Sequence, residues 1–138
     1  MRELRTVVTG IACPSRWARY SAVSTDERMR RMADGGAAFN RGEFFLAHEL
    51  WEDVWRSAAP SERQWIQGLI QVAAGLHHLA GGRAGPAAGL LARALAKLGD
   101  APARLDGVDV ASARRGAERI LAALRRGEAV DPRSVVLS

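Results

Sequence analysis

His48 and Glu52 stand four residues apart in EFFLAHELWEDVWRSA (43–58). Four residues is a little over one helical turn, so the two side chains share a face if this segment is helical. Trp55 continues the stripe, which sets an imidazole and a carboxylate among aromatic surface rather than in open water. Further on, WIQGLIQVAAGLHHLA (65–80) carries Gln67, Gln71 and His78 on one stripe, with Gly75 between them leaving room for something to approach. A tight connection at Pro60 makes the two segments antiparallel neighbours. His48 and Glu52 can then face Gln71 and His78.

Three chemistries suit that set. The first is a buried hydrogen-bond network, with His48 satisfied by Glu52 or a glutamine, which fixes how the helices register. The chain would then be a structural or interaction module whose outer face binds a protein partner. The second is a small-ligand pocket lined by His48, Glu52, Trp55, Gln67, Gln71 and His78. Were that pocket catalytic, hydrolysis is the least forced reaction, with His48 or Glu49 as general base and Glu52 as a further candidate. The third is a metal site. His48, Glu52 and His78 resemble half of a bundle metal centre, but residue four after His48 is Glu52, so the HExxH zinc pattern is absent. No fourth ligand is evident. No cofactor is therefore expected, a divalent metal being the one this third reading would require.

Other polar and aromatic residues suit plainer roles. His77 falls with Ile66, Ile70 and Ala73 on another face and reads as a packed or edge histidine. Glu49 and Asp53 suit a solvated acidic edge, although Glu49 adjoins His48. Trp17 and Trp65 read as packing residues. No nucleophile elbow, glycine-rich phosphate loop or Ser-His-Asp order is present.

The elements that must hold these residues follow from a 3.6-residue apolar period. The sequence predicts helices near 26–41, 43–57, 61–81, 86–99 and 110–126, with no sheet. Thr25 is the expected N-cap of the first, with Asp26 and Glu27 in its first turn. That helix should bury Met29, Met32, Ala33 and Phe39, and Gly35 with Gly36 should kink it. Phe44, Ala47, His48, Trp51 and Trp55 should form the inner face of the second. Pro60 ends that helix, and Ser61 with Gln64 is read as a capping box for the next. The third helix holds no formal charge over residues 65–80 and should be the central one, with Trp55, Ile66, Leu69, Ile70 and Ala73 nearly inaccessible. Pro86 suits the first turn of the fourth, whose stripe is Leu90, Leu91, Ala94, Leu95 and Leu98. The fifth should bury Ala113, Ala117, Ile120, Leu121 and Leu124 and expose the arginines at 114, 115, 119, 125 and 126.

At 138 residues and 48% hydrophobic, the chain is sized for one domain with a real core. It reads as all-α: an irregular arm at 1–24, a bundle of about five helices at 25–127 and a short tail at 128–138. Met29 and Met32 lie just past the arm, which also suits an over-long gene start. The net charge of +5 does not argue for nucleic acid. All but Lys97 of the 20 basic residues are arginine, spread along the chain without interleaved aromatics, unlike a phosphate-tracking groove. Cys13 is the single cysteine, so no internal disulfide or cysteine metal motif exists, and a cytoplasmic location is expected. MRELRTVVTGIAC is a poor signal peptide, with a short apolar stretch behind an acidic Glu3. The uncharged third helix is too short and too rich in glutamine and histidine to span a bilayer, so no membrane partner is expected.

FNRGEFFLAHELWEDVW (39–55), followed by QWIQGLIQVAAGLHHLAGG (64–82), resembles the bacterial and archaeal family called domain of unknown function 309. The resemblance spans roughly residues 28–98 and implies a small all-helical protein. Its hallmark falls on Phe39, Gly42, Ala47, His48, Glu49, Glu52, Trp55, Gln67, Gly68, Gln71 and His78. The family's activity is not established, so the resemblance marks residues without naming a reaction. Asn and Gly are common in the family where this chain has Arg83 and Pro86, which implies a different loop contact there.

Overall fold

Proline has no N–H to contribute and a φ fixed near the helical value, so it serves best as the first residue of a helix. Pro60 does this. In the computed structural model, which describes residues 24–138, five helices follow one another: α1 (Thr25–Asn40), α2 (Phe44–Ser57), α3 (Pro60–Ala80), α4 (Ala84–Lys97) and α5 (Val110–Arg125). The arm expected at residues 1–24 lies outside the described residues, apart from Ser24. The all-α class is the observed one. Among the described residues no helix is long and apolar enough to cross a membrane.

Several caps differ from expectation. Ser24, not Thr25, caps α1, its hydroxyl accepting from the Glu27 N–H at 3.1 Å. The Ser61–Gln64 capping box does not form, because Pro60 starts α3 one residue earlier and leaves Ser61 inside the first turn. Gln64 instead donates to the Lys97 carbonyl at 3.3 Å, tying α3 to the end of α4.

Consecutive helices pack side by side, and the α3–α4 contact is the most extensive. Phe39, Phe44 and Trp51 meet where α1 packs on α2, with ring centroids 5.2 Å (Phe39–Phe44) and 5.9 Å (Phe39–Trp51) apart. Gly35 does not interrupt α1. It removes a side chain where the Trp51 indole presses against the helix, and the indole N–H donates to the Met32 carbonyl at 3.2 Å. Met32 and Phe39 are buried as expected, but Met29 and Ala33 are exposed, since α2 covers the opposite face of α1. Ile66, Leu69, Ile70 and Ala73 are buried, consistent with a central α3.

The expectation of no sheet is corrected by a two-stranded ribbon, β1 (Arg104–Leu105) and β2 (Val108–Asp109), with Leu105 opposite Val108. Asp106 and Gly107 between them both have positive φ, 49° and 83°. Asp-Gly is the pair that suits a two-residue turn of this hand, since Asp tolerates and Gly freely adopts the left-handed region. Arg28 on α1 anchors the turn, donating to Asp106 at 2.7 Å and to Glu62 on α3 at 2.6 Å. Burial is the largest single influence on the Arg28 pKa and lowers it, but the hydrogen bonds and charges of Glu62 and Asp106 together outweigh it and leave the pKa raised.

The tail is part of the fold. Val135 and Leu137 are buried while Val136 between them is exposed, the alternation of an extended strand. Val135 occupies the space left by the missing side chain of Gly116 on α5.

Candidate functional site

The candidate residues are set in place by two helix endings. At the end of α1, Gly42 has φ 81°, the Gly42 N–H reaches the Phe39 carbonyl and the Glu43 N–H reaches that of Ala38, both at 2.9 Å. This 6→1 closure, which glycine permits at no steric cost, turns the chain directly into α2. The same pairing closes α3, where the Arg83 N–H bonds the His78 carbonyl at 2.9 Å. It brings the Arg83 side chain back over the helix end, and Nε donates to His78 Nδ1 at 2.9 Å. In this chain the contact that Arg83 makes at the loop is a grip on His78 itself.

His48 and Glu52 share a face of α2, as the spacing requires, but do not hydrogen-bond: His48 Nε2 lies 3.7 Å from Glu52 Oε2. Glu52 is taken by Arg56 at 3.0 Å, and the same guanidinium reaches Asp53 at 3.2 Å. Glu49 is exposed. Trp55 is half-buried rather than inaccessible, because it sits at the edge of the α2–α3 contact under the Arg63 guanidinium, 4.5 Å above its ring. Arg63 also donates to the Trp55 carbonyl at 3.3 Å. Gln67, Gln71 and His78 are half-buried on α3. Trp65 packs and donates to Asp100 at 3.1 Å.

Three buried polar atoms in this region have no hydrogen-bond partner: His48 Nδ1, Trp55 Nε1 and Gln71 Oε1. Phe45 fixes their level. Its ring lies 5.5 Å from His48, nearly parallel at 16°, and 5.4 Å from His77 on α3. Stepping six residues along each antiparallel helix from the Phe45–His77 contact sets Gln71 about level with Trp51, between His48 and Trp55. The three residues therefore stand at neighbouring levels of the packed pair α2 and α3. Of the three atoms, one is an obligate donor, one an obligate acceptor, and His48 Nδ1 serves as either.

One expectation changes. The space at Gly75 is not open to a ligand, since a side chain added there would come within 3.0 Å of Leu91 on α4. Gly68 likewise receives Leu98. Both glycines let α4 approach, and spacing alone does not reveal which neighbour a bare stripe admits. Among the described residues no three His, Cys, Asp or Glu side chains form a group able to hold a metal ion. His48, Glu52 and His78 are thus not gathered as ligands, because Arg56 holds Glu52 and Arg83 holds His78. Phe45, 52% exposed, is a residue that sequence reasoning passed over. Its position three before His48 was the available signal. His77 is the edge histidine expected, exposed and tilted against Phe45.

Residues 32–90 match the family model described as Domain of unknown function (DUF309). The DUF309 resemblance is thereby shown. The matched segment runs from the middle of α1 into α4, so it holds every candidate residue from His48 to His78 and excludes the ribbon, α5 and the tail. An uncharacterized protein of Aquifex aeolicus (strain VF5) is 31% identical over 85 residues, 61% of this chain and 26% of that protein. The chain thus spans about a quarter of that relative's length.

Proposed function

We propose that the seam between α2 and α3 is a binding site for a small polar ligand, with His48, Trp55 and Gln71 as its contacts. One observation carries the reading: a donor, an acceptor and an imidazole nitrogen on two packed helices are all buried and all unpartnered. Leaving such a group unmade costs about 1–3 kcal/mol, so three together favour an external partner over a self-satisfied network. A matching ligand presents an acceptor to the Trp55 N–H and a donor to Gln71, as a primary amide or a hydroxy acid does. Glu52, Gln67 and His78 flank these residues and would shape the site. General-base hydrolysis has less support, since Glu52 is committed to Arg56 and does not hydrogen-bond His48.

The indole N–H of Trp55 is a direct reporter. In a ¹⁵N-labelled sample its resonance, assigned by Trp55→Phe, should shift saturably on titration with acetamide, lactamide or lactate, and Gln71→Met should abolish the shift. Unmoved resonances with all three probes would sink the reading. Repeating the titration with zinc or magnesium tests the metal alternative, and a saturable shift there, lost in His48→Ala, would replace it.

A further inference from the structure

A cleft lies outside the family-matched segment, between α5 and the tail, with a volume of about 280 Å³. Arg115 and Arg119 stand four residues apart on α5, so both guanidiniums overhang the same cleft. Each is held by one N–H: Arg115 Nη2 donates to the Ser112 hydroxyl at 3.1 Å, and Arg119 Nη2 donates to the Ser134 carbonyl at 3.3 Å. Neither pairs with a carboxylate among the described residues, whereas Arg28, Arg31, Arg41, Arg56 and Arg126 all do. The remaining guanidinium N–H groups are free to bind.

The walls are built rather than incidental. Gly116, between the two arginines in sequence, has no side chain, and Val135 enters the space it leaves. The tail is thereby drawn against α5 and carries the Ser134 carbonyl to Arg119. Two carboxylates near the cleft, Asp109 and Asp131, already accept hydrogen bonds within the fold. Asp109 accepts from the Ser112 N–H and hydroxyl at 3.0 and 2.6 Å and from the Ser138 N–H at 3.3 Å. Asp131 accepts from the Arg133 N–H at 2.9 Å. Ser112 and Ser134 have also spent their hydroxyl protons, on Asp109 and on the Asp131 carbonyl. The side-chain donors left in the cleft are therefore cationic.

We infer that the cleft between α5 and the tail, with Arg115 and Arg119 as its two clamps, binds a small phosphate-type oxyanion. Paired guanidiniums match the oxygen geometry of phosphate bidentately, with charge-assisted bonds stronger than neutral ones. A space of this size admits inorganic phosphate or a compact phosphomonoester and is small for a drug-sized ligand. The net charge of +5 draws anions to the surface generally, so the clamp must be separated from that background.

The test is a ¹⁵N amide titration of the full chain with inorganic phosphate, ionic strength held constant with sodium chloride. Saturable shifts confined to residues 112–119 and 134–136 are expected, with affinity about tenfold weaker in each of Arg115→Gln and Arg119→Gln. Arg93→Gln, a change elsewhere, should bind as the parent does. Phosphoserine as a second probe separates the sources: tighter binding than phosphate assigns a phosphomonoester, and equal or weaker binding assigns the free ion. Shifts that fail to saturate, spread over other arginines, or persist in the double variant would overturn the assignment. Both arginines are exposed, and matching melting curves for variants and parent confirm that loss of binding is not loss of fold.

Discussion

The side-chain amide of Asn40 pairs with the main chain of Leu137 in both directions: Nδ2 donates to the Leu137 carbonyl and Oδ1 accepts from its N–H, each at 2.8 Å. One residue at the end of α1 therefore does for the tail what a neighbouring strand would do. Leu137 is buried by the arrangement, and Ser138 reaches Asp109 beyond it. Replacing Asn40 with alanine leaves both Leu137 groups without their partner. Asn40→Ala should cost about 1–3 kcal/mol in urea unfolding, and the Leu137 amide should lose its protection in hydrogen exchange. A variant as stable as the parent would show that burial of Val135 and Leu137 alone secures the tail.

Gly35 and Gly36 are adjacent and should respond oppositely to the same change. A methyl at Gly35 overlaps the Trp51 indole, while nothing lies within 4 Å of one at Gly36. Gly35→Ala should destabilise by about 1–3 kcal/mol, the usual range for overpacking. Gly36→Ala should stabilise by about 0.5–1 kcal/mol through helix propensity. Chemical denaturation of both variants is sufficient. Equal effects would mean that Trp51 moves aside at little cost.

Much of the helical frame was legible because apolar residues recur with the helical period from Met32 to Leu121. The His48–Glu52–Trp55 stripe was legible for the same reason. What the period does not encode is which element covers each face. Met29 and Ala33 fit α1's pattern and are exposed, because α2 packs on the other side. Gly75 offered space on α3, and Leu91 of α4 took it. The ribbon had a local signal in Asp106-Gly107, but strands of two residues are too short to show alternation. The tail had only Val135 and Leu137 to show it, and its partner Asn40 is 97 residues distant from Leu137. At the site, side-chain spacing placed His48 beside Glu52, yet Arg56 and Arg83 decided which polar atoms were left free.

Asp109 sets a pH dependence. Hydrogen bonds from the Ser112 hydroxyl and N–H hold its pKa below the ordinary 3.8, with a smaller push from Ser138 against the opposing effect of burial. A carboxylate whose pKa is lower folded than unfolded stabilises the fold above the unfolded value and loses that contribution as pH falls through the folded one. The affected window therefore lies below pH 3.8. Asp109→Asn retains an oxygen for the cap but cannot ionise. Its stability should fall less steeply than the parent's between pH 4 and pH 2, a range set by that carboxylate titration. Parallel acid-unfolding curves would assign the acid sensitivity to other carboxylates.

The unpartnered atoms between α2 and α3 make a prediction opposite to that of a satisfied network. If Gln71 were bonded within the fold, replacing it with methionine would strand its partner and cost about 1–3 kcal/mol. With Gln71 Oε1 buried and unpartnered, methionine fills similar volume without a polar atom to desolvate. Gln71→Met should therefore be neutral or stabilising by up to about 1 kcal/mol in the absence of ligand. Trp55→Phe tests the donor end, keeping an aromatic surface for Arg63 while removing the N–H, and should also cost little beyond the lost ring volume. His48→Ala should fall between these, since it removes an unpartnered nitrogen but also the ring that Phe45 stacks on. Thermal melts of the three variants without added ligand decide the matter. Losses above about 2 kcal/mol at both Gln71 and Trp55 would mean that bonds within the fold satisfy these atoms, and the seam would then be a structural register. Unchanged or raised stability, with loss of the indole response to amides or hydroxy acids, is the signature of groups held ready for something that is not part of the chain.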